Sequence, residues 1–279
     1  MMRGRWSWMN RKCLATPYII WAIGFIILPL LMVIYYGMTN GDGGFTLSNI
    51  QAIADPIHYK AFGNSVLIAL GSTLICLVIS YPLAYILSQN EKRGAGTVIM
   101  IFVLPMWINF LLRVLALQMI LSNTGILNAI LNFFGLPAQR IMYTKGAILI
   151  GMVYDYIPFM ILPIYNVMSK IDKDVLEAAQ DLGATAFTTF KKIIVPLSLP
   201  GVLSGIIMVF IPSLSEFVVA DILGGSKILL FGNVIEQEFN MLNNWNLGSG
   251  LSIVLMIFIF ISMAVMNRNE SEEVDAMLW

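Results

Sequence analysis

Long apolar runs separated by short polar links make up almost the whole chain. A helix needs about 20 residues to cross a hydrocarbon core about 30 Å thick. Runs of that length occur at about 17–38, 64–88, 97–121, 145–168, 201–222 and 248–267. The pattern predicts an all-α integral membrane protein of six transmembrane helices. Pro29, Pro82, Pro105, Pro158 and Pro212 fall inside or beside these runs and are expected to bend helices whose freed carbonyls neighbouring helices satisfy. The links leave no room for a separate soluble domain, so residues 1–279 are read as a single transmembrane domain.

Composition agrees: 58% of residues are hydrophobic and only 11% charged, far from the usage of a soluble domain. Cytoplasmic loops carry the excess of Lys and Arg. With both termini inside, the inner segments hold Arg3, Arg5, Arg11, Lys12, Lys92, Arg93, Lys170, Lys173, Lys191, Lys192 and Arg268, against Lys60, Arg140, Lys145 and Lys227 outside. Only Arg113 is left within the membrane. The basic residues are ordinary flanks of spanning helices, so nothing points to nucleic acid. The first run follows a basic terminus but is too long for a signal peptide and lacks a small-x-small cleavage site, which makes it an uncleaved first helix.

The longest inner loop, about 169–200, is amphipathic. Val175, Leu176, Ala179 and Leu182 recur at helical spacing, Asp172 and Asp174 suit a helix N-terminus, and Gly183 suits a left-handed C-terminal turn. A second short helix is expected at about 185–194, with Thr185 as its cap, Phe187 and Phe190 on one face, and Lys191 and Lys192 near its end. Pro196 then opens the fifth span. A helical hairpin with two aromatics on one face fits a groove on a cytoplasmic partner; the same pattern also fits a loop lying against its own membrane domain or the lipid interface.

Within this loop Glu177-Ala178-Ala179, then Gly183, then Ile193 and Pro196 reproduce the spacing of the EAA loop of binding-protein-dependent ABC importers, with Val195 where the pattern has Leu. The match resembles a cytoplasmic coupling helix of the type I ABC importer permease fold. By that resemblance Glu177 should meet a basic residue of an ATPase, Gly183 should form the turn, and Ala178 and Ala179 should allow close helix approach. Phe187 and Phe190 are the candidate buried anchors. Further runs, EAAQDLGAT, FKKIIVPLSLPGV, ILGGSKILLFGNVIEQEF, FVLPMWINFLLR and YPLAYIL, resemble the B-type permeases of spermidine/putrescine importers. The resemblance implies half of a heterodimeric pore in a bacterial inner membrane, with a C-type permease partner, two ATPases and a periplasmic polyamine-binding protein. It also implies alternating access driven by ATP and Mg held on the ATPases.

An ionisable residue inside a span is costly and by default marks a pathway or a pair. Arg113, Asp155 and Glu216 lie roughly 12, 15 and 9 Å below the outer ends of their helices at about 1.5 Å per residue. Two carboxylates and one guanidinium leave a net negative level that suits an ammonium cargo; the alternative is a structural ion pair between Arg113 and one acid. Asp221, near the outer end of the fifth span, is a candidate first contact. Trp107, Tyr154 and Tyr156 could add cation–π contacts, although Tyr154 and Tyr156 cannot share one face; an interfacial role is the competing reading for all three. Gly201, Ser204 and Gly205 would let helices approach closely. The outer loops, with Glu236, Glu238 and Trp245 in the last, could receive the binding protein.

The sequence lacks a GxxxxGK[ST] phosphate loop, so no cofactor is expected on this chain and ATP hydrolysis must belong to another subunit. His58 is the one histidine, read as an outer-loop residue, and no catalytic triad or nucleophile elbow can be assembled. Cys13 and Cys76 are too far apart in the predicted topology to form a disulfide or a CxxC metal site. The chain is therefore not expected to be an enzyme by itself. Two alternatives stay open: a permease for another small solute, and an ion-coupled carrier titrating Asp155 and Glu216. The EAA spacing counts against the carrier.

Overall fold

The computed structural model describes residues 9–89 and 95–277. Arg3, Arg5, Lys92 and Arg93 of the charge asymmetry lie outside the described residues. In chain order the α-helices are α1 (Met9–Ala22), α2 (Leu28–Gly37), α3 (Ser48–Gln51), α4 (Pro56–Gln89), α5 (Ala95–Val103), α6 (Phe110–Leu121), α7 (Ile126–Phe133), α8 (Lys145–Met168), α9 (Lys173–Asp181), α10 (Ala186–Thr189), α11 (Val195–Ser215), α12 (Val218–Gly224), α13 (Phe231–Asn240) and α14 (Trp245–Met277). A single isolated bridge, Thr39 to Phe45, is the one β feature among the described residues. Six helical stretches are long and apolar enough to span a membrane: Thr16–Gly37, Pro56–Gln89, Phe110–Phe133, Lys145–Met168, Ala186–Ser215 and Trp245–Met266.

The chain divides into two compact units. One comprises the chain up to Pro56 together with Ile235–Ile257; the other comprises Ile57–Val234 and the chain from Phe258. In the first unit, Asn246 Nδ2 donates to the carbonyls of Tyr36 (3.0 Å) and Thr39 (2.7 Å). Asn49 Nδ2 donates to Thr39 O at 2.9 Å. These two amides close the end of α2, whose last carbonyls have no intrahelical donor. Gly37 fits because a Cβ there would lie 2.5 Å from Ile253 Cδ1. Along Thr16–Gly37 the side chains upstream of this clamp are almost all exposed.

The second unit is built around α8, which packs on α11, α12, α6 and α5. Ile148, Met152, Met160, Ile161 and Ile164 of α8 are fully buried, as expected for a helix that is apolar all round. The α8–α11 contact is close because α11 presents bare backbone. A Cβ on Gly201 would stand 2.8 Å from Pro163 O, and one on Gly205 2.7 Å from Met160 Sδ, the small-residue packing that lets membrane helices approach. Hydroxyls tie α4 to α11: Tyr81 Oη and Ser198 Oγ are 2.9 Å apart.

Several spans differ from the apolar runs. The third, expected as continuous over 97–121, is broken. α5 ends at Val103, a 3-10 turn covers Leu104–Trp107, and Ile108 is extended before α6 begins at Phe110. Pro105 has no N–H to continue the ladder, and Asn109 restarts it by accepting from Leu111 N–H (2.9 Å) and Leu112 N–H (3.4 Å). The fifth, expected at 201–222, starts earlier and also breaks. Helix runs from Ala186 to Ser215 through a π-helical turn at Phe190–Ile194, so Pro196 sits in the first turn of α11 instead of interrupting the chain. Glu216 is then extended, and α12 follows as a separate helix. His58 lies half-buried in the first turns of α4, not in a loop, and Cys76 is buried.

Candidate translocation and coupling sites

The break in the fifth span places the chemistry of one site. Glu216, at the end of α11, uses Oε1 to accept from Val219 N–H of α12 at 3.1 Å and Oε2 to accept from the Tyr156 hydroxyl of α8 at 2.9 Å. The carboxylate thus acts as a side-chain cap for α12 while anchoring the break to the central helix. Tyr156 is buried and Tyr154, two residues earlier, is exposed; the pair divides between two faces as their spacing requires.

Arg113 of α6 meets Asp155, the residue before Tyr156 on α8. Arg113 Nη1 lies 3.2 Å from Asp155 Oδ1, with side-chain exposures of 9% and 2%, and the guanidinium also sits over the Phe110 ring, 5.8 Å from its centroid. The contact is close but not aligned as a hydrogen bond, and neither Asp155 oxygen has a hydrogen-bond partner among the described residues. Attraction between buried opposite charges therefore holds the pair. Of these three ionisable residues, Arg113 and Asp155 pair with each other and the Glu216 carboxyl is held by polar partners. Asp221 is half-buried; its Oδ1 accepts from Asn233 Nδ2 at 2.7 Å, and the same amide donates to Phe217 O at 3.0 Å. Asn233 carries no charge and stands out by no spacing, so sequence reasoning missed it. An amide within an apolar stretch was its only signal. Trp107 stands in the 3-10 turn, 79% exposed.

The second site is the loop after α8. Asp172 caps α9 by accepting from Asp174 N–H at 3.1 Å, and the helix ends at Gly183, whose φ of +80° favours glycine. Two bonds close that end: Gly183 N–H to Gln180 O (2.8 Å) and Ala184 N–H to Ala179 O (3.0 Å), the pattern of a left-handed C-terminal cap. Thr185 caps α10 by accepting from Thr188 N–H at 3.3 Å. Glu177 and Ala178 are exposed and Ala179, Ile193 and Pro196 are partly buried. Leu182 (89%) and Phe187 (74%) stand almost free of their own chain.

Phe190 departs from the expectation that it shares Phe187's outward face. Its ring packs edge-on against Tyr85 and Tyr81 of α4, with centroids 5.2 and 6.1 Å apart. Positions three apart differ by about 60° around a helix, enough for one ring to face a neighbour and the other to face outward. Phe190 anchors the loop to its own bundle; Phe187, Leu182 and Val175 are exposed apolar side chains of the hairpin, with Glu177 on the same helix as Val175.

A family model described as the binding-protein-dependent transport system inner membrane component matches residues 80–270, which include both sites. The chain belongs to this family. It is a multi-pass inner-membrane permease subunit of a binding-protein-dependent transporter. Among curated relatives, it is 38% identical over 253 residues to the spermidine/putrescine transport system permease protein PotB of Escherichia coli (strain K12), covering 88% of this chain and 92% of that one. A permease of the same description from Haemophilus influenzae is also 38% identical, over 86% of this chain and 88% of its own length. Solved structures of the same fold include a bacterial ABC transporter involved in import of the acidic polysaccharide alginate (TM-score 0.73, 15% identity, 93% and 95% of the two chains covered). The alginate transporter bound to its alginate-loaded periplasmic protein matches with a TM-score of 0.76 at 15% identity, over 93% of each chain. At that identity the likeness is one of permease fold and carries no cargo.

Proposed function

We propose that this permease forms half of a pore for polyamines, spermidine or putrescine, across the bacterial inner membrane. Its other half is a C-type permease, two cytoplasmic ATPases carry the ATP and Mg, and a periplasmic polyamine-binding protein delivers the cargo. Both termini and the loop around α9 then lie in the cytoplasm. The observation that carries the coupling role is the exposure of the apolar side chains Val175, Leu182 and Phe187 on the hairpin that also carries the exposed Glu177. A capped helical hairpin with exposed apolar side chains is suited to a partner's groove. The named polyamine permeases at 38% identity support the cargo.

In this mechanism closure of the ATPases draws the coupling helices together, the cavity opens outward, the binding protein releases its cargo, and hydrolysis resets the pore. Force reaches α11 through the continuous helical stretch Ala186–Ser215. Its far end is Glu216, so coupling loop and candidate cargo contact belong to one lever. Asp155, satisfied in charge by Arg113, sets the scaffold at that level, and Asp221 and the exposed aromatics belong to the approach.

Reconstitution with the neighbouring subunits tests the proposal through ATP-dependent uptake of radiolabelled spermidine and putrescine against unrelated solutes. Polyamine uptake that stops without ATP is expected; ATP-dependent uptake of another solute alone would replace the cargo, and cation-driven uptake without ATP would replace the mechanism. Glu216→Gln is expected to raise the KM for polyamine about tenfold, equivalent to about 1.4 kcal/mol, with assembly unchanged. The amide oxygen can still accept from Val219 N–H while its NH2 donates to the Tyr156 hydroxyl oxygen, so the cap survives, the Tyr156 bond reverses direction and the charge is lost; an unchanged KM would remove Glu216 from the pathway.

A further inference from the structure

We infer that the cleft between the end of α6, the start of α7 and Tyr143 holds the head group of an anionic phospholipid, whose acyl chains run along the exposed stripe of α7. The cleft has a volume of about 620 Å³, within the ~300–1,000 Å³ usual for small-molecule sites. Gln118, Ser122, Asn123, Thr124 and Tyr143 give it hydroxyl and amide groups, while Met119 and Ile126 stand exposed at the same cleft. Among the described residues no carboxylate lines it.

Its level follows from the fourth span. Met142 and Tyr143 line the cleft directly ahead of that span, Lys145–Met168. The cleft therefore lies at the edge of the hydrocarbon opposite the coupling hairpin, which follows Met168. Buried Asn128 gathers the chain there: its Nδ2 donates to Asn123 O (3.2 Å) and Gln139 O (3.0 Å), and its Oδ1 accepts from Gln139 N–H (2.8 Å). With Asn128 turned inward, Ile126, Ile130 and Phe133 recur at helical spacing on the other side of α7 and are exposed.

Tyr143 is held in place at a cost. Its φ of +63° is uncommon for a bulky residue, and such a conformation persists only where the surroundings impose it. Tyr143 N–H donates to Leu223 O at 2.9 Å, and the next turn lies against the ring, where a Cβ on Gly225 would strike it. Lys227 on that turn holds its Nζ 5.3 Å from the ring centroid. Arg140, also exposed, follows Gln139. Two cations beside a cleft of uncharged polar groups complement a phosphate, as basic pockets between spans take lipid head groups. The apolar stripe at the same edge suits the acyl boundary of the bilayer. An acidic protein loop would answer the cations alone; a phospholipid answers cations and stripe together.

The test uses the assembled importer in nanodiscs of equal parts phosphatidylcholine and phosphatidylglycerol. Native mass spectrometry is expected to show phosphatidylglycerol retained in preference to phosphatidylcholine. Lys227→Gln with Arg140→Gln should lower that retention about tenfold, somewhat under the full effect of two charges at an anionic surface. Lys227→Arg with Arg140→Lys keeps both charges and should keep the lipid. On irradiation, p-benzoylphenylalanine in place of Met119 is expected to attach to phospholipid. Equal retention of the two lipids in the wild type, or unchanged retention in the charge-removing variant, would overturn the site. So would cross-linking from position 119 to a protein subunit, which would mean that a partner covers the cleft. No cargo enters these measurements, so their failure leaves the polyamine proposal untouched.

Discussion

Arg113→Leu is expected to keep the permease from accumulating as an assembled complex, because it leaves Asp155 buried at 2% exposure with no opposing charge. Removing one partner of a buried pair costs about 3–5 kcal/mol, and Asp155 has no hydrogen bond among the described residues to soften the loss. The double replacement Arg113→Leu with Asp155→Leu removes both charges together, and replacing a buried pair by apolar side chains is often neutral. Recovery of the detergent-stable complex in the double variant, measured by gel filtration and subunit yield, is the expected result. If the recovered complex also takes up polyamine with the wild-type KM, the pair is scaffold and the cargo contact lies with Glu216. A complex that assembles yet fails to transport would return Asp155 to the pathway. A double variant as poor as the single one would show that something other than the uncompensated charge causes the defect.

The second large effect belongs to the proposed coupling hairpin. Leu182→Ser with Phe187→Ser removes two side chains that lie outside the bundle, so the fold of the permease has little to lose. Central apolar anchors of an interface are each worth about 2 kcal/mol or more, and 2 kcal/mol is roughly a thirtyfold loss of affinity. The double variant should insert and pair normally yet lose co-purifying ATPase and ATP-dependent uptake. Retention of both at wild-type levels would mean that these side chains rest on lipid or on the permease itself.

The sequence revealed the elements whose physics is local. Apolar runs marked the spans, and Asp172, Gly183 and Thr185 marked the ends of the coupling hairpin through capping chemistry that each residue carries by itself. Gly201 and Gly205 marked a close helix contact. What could not be read depended on partners far along the chain. Arg113 could have met Asp155 or Glu216, and only the packing of α6 on α8 decides. The break at Glu216 fell inside an uninterrupted apolar run, with no proline or glycine at the position itself. Pro105 did signal a bend, but the separation of the two half-helices also needed the Asn109 side chain to take the next two N–H groups. Phe190 and Phe187 looked alike because helical spacing fixes an angle between residues, not which of them meets α4.

The clamp at the end of α2 bears on how the molecule is made. Asn246 reaches back 210 positions to Tyr36, and a ribosome working at about 5–20 residues per second needs roughly 10–40 s to cover that distance. Throughout that interval the first span and Asn49 have been synthesised but the second amide of the clamp has not. Its side chains are apolar and turned outward, so the bilayer itself can hold the newborn helix as a solitary insert. Final fastening of this unit is therefore one of the last acts of biogenesis, and a nascent chain stopped before Asn246 would carry its first span in the membrane with that end held by Asn49 alone.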